Sequence, residues 1–439
     1  MWLSIRPVRP CTVTSTSHVP FPYCTNTTQP AKLNNKRLTM ETTKAPSNWE
    51  RLLLDSIAGI PSPFTPPTPD RLSKRWKEYQ GMKNWAGLLD PLDDTLRGEI
   101  IRYGHFVEAA YRSFDFDPSS PSYATCRYPK SSLFDRSGFP VTGYRLTKNL
   151  RATSGIHLPR WIEKAPGWVG TQSSWIGYVA VCHDKDEIAR LGRRDAVVAY
   201  RGTATCLEWL ENLRATLTQL PANGGTEMGQ DGSGPMVESG FLSLYTSGTA
   251  ACPSLQDLVR EEISTLLQLY GGDEVPLSLT ITGHSLGAAL ATLTAYDIKK
   301  TFKRAPLVTV ISFGGPRVGN RSFRRHLEKQ GTKILRIVNS DDLITKVPGF
   351  VIDDMGNKNN PESDVHMTNI NLTGWIQKRV EDTQWVYADV GCELRLSSKD
   401  SPYLAGVGVA TCHELKTSNI SLYGIVRIGH DLDFLNPMT

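Results

Sequence analysis

Thirteen consecutive residues, Leu279-Thr280-Ile281-Thr282-Gly283-His284-Ser285-Leu286-Gly287-Ala288-Ala289-Leu290-Ala291, leave this chain few folds to choose from. Leu277 to Thr282 reads as a strand and Leu286 to Phe302 as a helix, with a corner of very few residues between them. A strand can turn into a helix so abruptly only where the residues two before and two after the corner are tiny, because the two elements pass close together there. Gly283, Gly287, Ala288 and Ala289 supply that clearance. Such a corner lifts the Ser285 hydroxyl above the sheet, at the start of a helix whose free N–H groups and dipole favour developing negative charge.

The surrounding sequence keeps the same rhythm. Trp175–Val181, Ala196–Tyr200, Leu307–Phe313 and Ile334–Val338 are short β-branched or aromatic runs, expected as strands. Asp94–Ser113 and Pro253–Tyr270 carry apolar residues at helical spacing, the second stopped by Gly271-Gly272. Nearly apolar strands alternating with helices predict an α/β fold, a mostly parallel central sheet with helices on both faces. Ligands in such sheets bind beyond the carboxyl ends of the strands. Pro61–Pro69 reads as an extended linker and residues 222–235 as a Gly-rich surface loop. The fifty residues after Ser113 are rich in turns and give no clear element. Cys206–Leu220 reads as an amphipathic helix. Its stripe of Leu207, Trp209, Leu210 and Leu213 is compatible with a lid over an apolar pocket and equally with plain core packing.

Charge narrows the partners. The net charge is +5, yet residues 1–40 hold Arg6, Arg9, Lys32, Lys36 and Arg37 with no acid, and the remainder is formally neutral. A nucleic-acid-binding body would be expected to keep its positive charge, so no nucleic acid partner is expected. The Ser/Thr-rich, acid-poor leader over 1–50 resembles an organelle transit peptide, ahead of a single domain over 51–439. Within that domain, about 51–170 reads as an N-terminal extension and about 171–415 as the core. No stretch has the 18 or so apolar residues of a membrane span, so any contact with lipid is expected to be peripheral. Eight cysteines without a CxxC pair point to reduced thiols, and no metal or organic cofactor is expected.

The chemistry implied by the corner is acyl transfer through Ser285. His284 adjoins the serine and faces elsewhere, so it is not expected to be the base. Two donors should face the tetrahedral oxyanion. One is the Leu286 N–H. The other is expected at Thr203, where the strand ending Val198-Ala199-Tyr200-Arg201 breaks at Gly202. The acid should follow a later strand, which offers Asp341 and Asp342. The base should lie later still, leaving His366, His413 and His430 open.

Eight segments together resemble the plant phospholipases A1 of the anther-dehiscence lipase family, within the fungal-type class 3 lipases. They are GLLDPLDDTLRGEIIRYG (87–104), SFDFDPSSPSYATCRY (113–128), RATSGIHLPRW (151–161), AYRGT (199–203), ESGFLSLY (238–245), GHSLGAALATL (283–293), SFGGPRVGN (312–320) and VNSDDLITKVPG (338–349). The resemblance implies an α/β-hydrolase fold, Asp342 as the acid and, through Cys412-His413-Glu414-Leu415, His413 as the base. After that element the tail departs from the family's Tyr-Leu-His-rich continuation. The expected activity is hydrolysis of membrane glycerolipids at sn-1, of phospholipids and also galactolipids, inside plastids. A triacylglycerol or monoacylglycerol lipase using the same triad, and a non-catalytic interaction module of the same fold, are the other readings.

Overall fold

The computed structural model describes residues 69–117, 119–139, 143–153, 173–202, 216–220, 234–249, 252–340, 342, 344–346 and 387–397. All of them fall in one unit, Phe64–Thr439. The leader, most of the expected linker and the 222–235 loop as far as residue 233 lie outside the described residues.

Seven strands form the main sheet in the order β1-β2-β3-β6-β7-β8-β9. They are β1 (Tyr144–Thr153), β2 (Ser173–Cys182), β3 (Arg194–Tyr200), β6 (Leu277–His284), β7 (Leu307–Phe313), β8 (Lys333–Asn339) and β9 (Cys392–Leu396). A separate antiparallel pair joins β4 (Leu217–Gln219) to β5 (Met236–Glu238). β3, β6, β7, β8 and β9 pair in parallel, while β2 pairs antiparallel with both β1 and β3 and so runs against the other six strands. The mostly parallel sheet is as expected, and each expected strand end is either unchanged or one or two residues longer. The helices are α1 (Pro69–Tyr79), α2 (Asp94–Ser113), α3 (Leu133–Arg136), α4 (Lys185–Leu191), α5 (Ser239–Thr246), α6 (Leu255–Tyr270), α7 (Leu286–Thr301) and α8 (Arg321–Lys329).

One expectation is corrected. The helix read over Cys206–Leu220 does not reach its end, because Leu217–Gln219 form β4, paired residue by residue with Glu238, Val237 and Met236. Leu217 and Leu220 keep the helical three-residue spacing, but the three residues of β4 carry only one apolar side chain between them. Partner carbonyls and amides from β5 then decide for strand. Residues 203–215, with Leu207, Trp209, Leu210 and Leu213, lie outside the described residues. The expected linker also ends earlier, since Pro69 is the first residue of α1, a position that suits a residue without an N–H.

Period-two alternation distributes the core to both faces of the sheet. On β3, Ala196, Val198 and Tyr200 join α5, α6 and α7 on one face, while Val197 and Ala199 pack with α2 on the other. β6 sends Leu279 and Ile281 to the first face but Ser278, Thr280 and Thr282 to the second, all fully buried. The first two hydroxyls answer a buried ionic network. The Asp195 carboxylate accepts hydrogen bonds from Ser278 and Thr280, each 2.9 Å, and from the Tyr103 and Tyr144 hydroxyls, also 2.9 Å. Arg102 grips Glu99 through two nitrogens at 3.0 and 2.8 Å, and Arg193 reaches the same carboxylate at 3.1 Å. Burial works against the Glu99 charge, but Arg102 and Arg193 outweigh it and hold that carboxyl down at about 2. Two acids and two bases thus tie α2 to the amino ends of β3 and β6. The carboxyl ends are left for chemistry.

Candidate active site

Ser285 sits on the corner between β6 and α7 with φ 55° and ψ −123°. A left-handed φ at a residue with a side chain costs on the order of 1–3 kcal/mol and persists only when neighbours over-determine it. Three constraints do so here. The Ser285 N–H donates to the Phe313 carbonyl at the end of β7, 3.0 Å away. Its own carbonyl accepts from the Ala288 and Ala289 amides at 3.0 and 3.3 Å, which locks the first turn of α7. Small residues allow the crossing: a Cβ on Gly283 would lie 2.3 Å from the Gly287 carbonyl oxygen, and one on Gly287 would lie 2.5 Å from that of Arg201. Although Ser285 is the N-cap residue of α7, its hydroxyl makes no capping bond to the helix. Leu286 is the first helical residue, where backbone N–H groups have no partner within the helix.

The strand β3 delivers a second backbone corner to the same place. A Cβ on Gly202 would come within 3.2 Å of the Ser285 Cβ and 2.2 Å of the Tyr111 hydroxyl, so its backbone lies against the Ser285 corner. Arg201 holds that corner. Its guanidinium donates to the Gly202 carbonyl at 2.6 Å, the Trp175 carbonyl at 3.0 Å and the Ser174 hydroxyl at 3.0 Å, and lies over the Phe114 ring at 3.6 Å. All of these partners are neutral, and burial lowers the Arg201 pKa to about 10, which still leaves it charged at neutral pH. Thr203 itself lies outside the described residues.

His284 is buried with its Nδ1 2.8 Å from the Tyr111 hydroxyl, on α2. The N-terminal segment therefore reaches the back of the corner, a contact that sequence spacing did not reveal.

Asp342 follows β8 and is 1% exposed. Its N–H donates to the Asn339 carbonyl at 3.0 Å, and its Oδ1 accepts from the Ile344 N–H at 2.9 Å. The Thr345 hydroxyl closes the short 3-10 turn Ile344–Lys346 onto the Asp342 carbonyl at 2.9 Å. His284 of β6 is level with Phe313 of β7, which is level with Ile337 of β8. Ser285 and Asp342 therefore both follow the carboxyl ends of strands two apart in the sheet, whose axes are about 10 Å apart at the usual strand spacing. β9 runs parallel beside β8 and ends at the same edge, where the Ser340 N–H donates to the Leu396 carbonyl at 2.8 Å. His413 comes 17 residues after Leu396 in the chain. His413, His366, His430 and Asp341 lie outside the described residues.

Among the described residues no group of three or more His, Cys, Asp or Glu side chains could hold a metal ion. None of the helices there is long and apolar enough to cross a membrane. Sequence reasoning missed Tyr111 and Arg201 as supports of the corner. For Arg201 a signal existed, a charge placed directly after five apolar strand residues.

Residues 197–352 match the family model described as lipase (class 3), an interval running from β3 to just past Asp342. The chain is 69% identical over 376 residues to Arabidopsis thaliana "Phospholipase A(1) DAD1, chloroplastic", covering 85% of this chain and 82% of that protein. It is 40% identical to "Phospholipase A1-Igamma2, chloroplastic" of the same plant, over 79% of this chain and 64% of that one. With Arabidopsis "Galactolipase DONGLE, chloroplastic" the identity is 43% over 64% and 60% of the two chains. The chain thus spans less than two thirds of the latter two relatives. Of solved structures, the native Rhizomucor miehei lipase propeptide complex overlaps with TM-score 0.38 at 16% identity, over 68% of this chain and 68% of that one.

Proposed function

From the premise that this chain belongs to the class 3 lipases, in their plant phospholipase A1 branch, we propose that it releases fatty acids from membrane glycerolipids through Ser285. The enzyme class is carboxylic ester hydrolase. Ser285 attacks the ester carbonyl while His413 takes its proton and Asp342 orients and stabilises the imidazolium. The Leu286 and Thr203 amides receive the oxyanion. The alcohol of the lipid leaves with a proton returned by His413, and water then frees the acyl group from Ser285 by the same route in reverse.

The observation that carries this reading is the Ser285 corner itself. A strained, over-determined backbone holds a hydroxyl that is not spent on capping its helix, with the Gly202 backbone against it and Asp342 on the same sheet edge. Cleavage at sn-1 of phospholipids, with galactolipids as further substrates, and residence in the plastid follow from the names of the relatives. Lid function for Leu207, Trp209, Leu210 and Leu213 belongs to the same proposal, with membrane contact from the aqueous side.

The test is mass spectrometry of the products from vesicles of phosphatidylcholine, monogalactosyldiacylglycerol and triacylglycerol. Wild type should release sn-1 acyl chains from the first two, and Ser285→Ala should release none above background. Equal release by both proteins would end the proposal, and release from triacylglycerol alone would reassign the substrate.

A further inference from the structure

We propose that Arg317 is a positioning residue for the acid of the triad, holding the turn that orients Asp342 and tying it to the segment that leads into β9. This rests on Asp342 having the role given above. Arg317 lies in the loop after β7, the strand between those that carry Ser285 and Asp342. Its Nη1 donates to the Lys346 carbonyl at 3.0 Å, the last residue of the 3-10 turn. Its Nε and Nη2 face the two oxygens of Asp389 at 3.0 and 3.4 Å. Asp389 precedes β9, and Ala388 beside it is bound to the Gly319 carbonyl at 2.9 Å.

The turn matters because it orients the carboxylate. The Ile344 N–H that fixes Asp342 Oδ1 and the Thr345 hydroxyl that closes on the Asp342 carbonyl both sit within it. Among the described residues, Arg317 is the side chain from outside this loop that bonds its far end. A guanidinium presents donors along two edges of one plane, so a carboxylate and a carbonyl can be held together; an ammonium cannot reproduce that fork. The anchor is durable. Burial pushes the Asp389 carboxyl up, but its hydrogen bonds from Arg317 and the nearby Arg336 charge outweigh this and keep it below the usual range. Arg336 also contacts Asp389, at 3.2 Å, and Glu393, at 2.6 Å, but no residue of the acid turn among its described bonds. That difference separates positioning from mere ion pairing.

A loosened Asp342 stabilises the imidazolium less, so the base should lose its proton more readily and the acidic limb of the pH profile should move down. The experiment measures kcat, KM and the pH profile of kcat/KM on p-nitrophenyl butyrate for wild type, Arg317→Ala, Arg317→Lys, Arg336→Gln and Asp342→Asn. Arg317→Ala should lower kcat about 10- to 100-fold with KM within about twofold, and shift the acidic limb down by about half a pH unit. Arg317→Lys should recover only part of either change, and Arg336→Gln should match wild type. If Arg317→Ala does not fold, as judged by far-UV circular dichroism, Arg317→Lys decides by the same two readouts. Wild-type kcat and limb in the folded Arg317 variant, with Asp342→Asn inactive, would overturn the inference and leave the triad standing. An equal shift in Arg336→Gln would also overturn it. An active Asp342→Asn would overturn both.

Discussion

Glu238 opens the recognisable segment ESGFLSLY and is buried with 0% exposure. One carboxylate oxygen caps α5 by accepting from the Phe241 N–H at 2.7 Å. The other, Oε1, is buried without a hydrogen-bond partner among the described residues, as is the hydroxyl of Tyr387, whose own ionisation is pushed up by burial and by the Glu238 charge. Burial raises the Glu238 pKa from the ordinary 4.5 to about 7, against the pull of the backbone donors at the cap. Between those two values the folded chain keeps a proton that the unfolded chain has released, so stability falls as pH rises through the window and levels off above about 7. At about 1.4 kcal/mol per pH unit, the full interval corresponds to about 3 kcal/mol lost at pH 8 relative to pH 4. Glu238→Gln keeps an acceptor for the cap and removes the charge. The variant should match wild type near pH 4.5 and exceed it by about 2–3 kcal/mol at pH 8. Urea unfolding at half-unit pH steps would measure this, provided the slope m is unchanged, so that the midpoint alone carries the difference. A gap between the two proteins that does not vary with pH would refute the reasoning, since a pH-independent effect cannot come from titration of that carboxyl.

Other substitutions test separate parts of the account. Gly287→Ala places a Cβ 2.5 Å from the Arg201 carbonyl oxygen and 2.8 Å from that of Tyr200, forcing α7 away from β3. Displacement approaching an ångström at the nucleophile should cost about 100-fold in turnover of a soluble ester. Glu99→Gln removes the carboxylate shared by Arg102 and Arg193 and should destabilise the fold by about 3–5 kcal/mol, read as a lower urea midpoint at pH 7. With the Glu99 pKa held at about 2, wild type should lose that contribution only as pH falls from 4.5 toward 2, and the variant should show a shallower acid transition. Tyr111→Phe removes the hydroxyl bonded to His284 and should cost about 1–2 kcal/mol in the same assay.

The sheet is legible in the sequence because its parallel strands carry their signal locally. Leu307–Phe313 and Asp94–Ser113 are bounded to the residue, the first by its run of β-branched and apolar residues, Leu-Val-Thr-Val-Ile-Ser-Phe, and the second by a helical stripe behind the Asp93 cap. β1 is not legible. Tyr144-Arg145-Leu146-Thr147-Lys148-Asn149 is a polar edge strand with two register irregularities, recognisable only once β2 is there to pair with it. β4 reads wrongly as helix for a related reason, since three residues with one apolar side chain take their state from the partner strand. The hydroxyl row of β6 shows the opposite case. Leu-Ser-Leu-Thr-Ile-Thr alternates like a half-solvated strand, yet both faces are buried: Ser278 and Thr280 bond Asp195 in the ionic network, and Thr282 donates to the Ile311 carbonyl. At the candidate site, the Ser285 corner is marked by its small neighbours, whereas local sequence leaves Asp341 and Asp342 open and only the family resemblance points to Asp342. The supports Tyr111, Arg201 and Arg317 reach partners 26 to 173 residues away in the chain, a distance over which spacing carries no information.

The claim on which all of this depends is that Ser285 is made nucleophilic by His413. A fluorophosphonate probe reacts with an activated serine, and peptide mass spectrometry locates the adduct. Wild type should carry the label on the peptide containing Ser285, Ser285→Ala should carry none, and His413→Ala should react at least about 1,000-fold more slowly while His366→Ala and His430→Ala keep the wild-type rate. Undiminished labelling of Ser285 in His413→Ala, or an adduct on any other serine, would contradict the account.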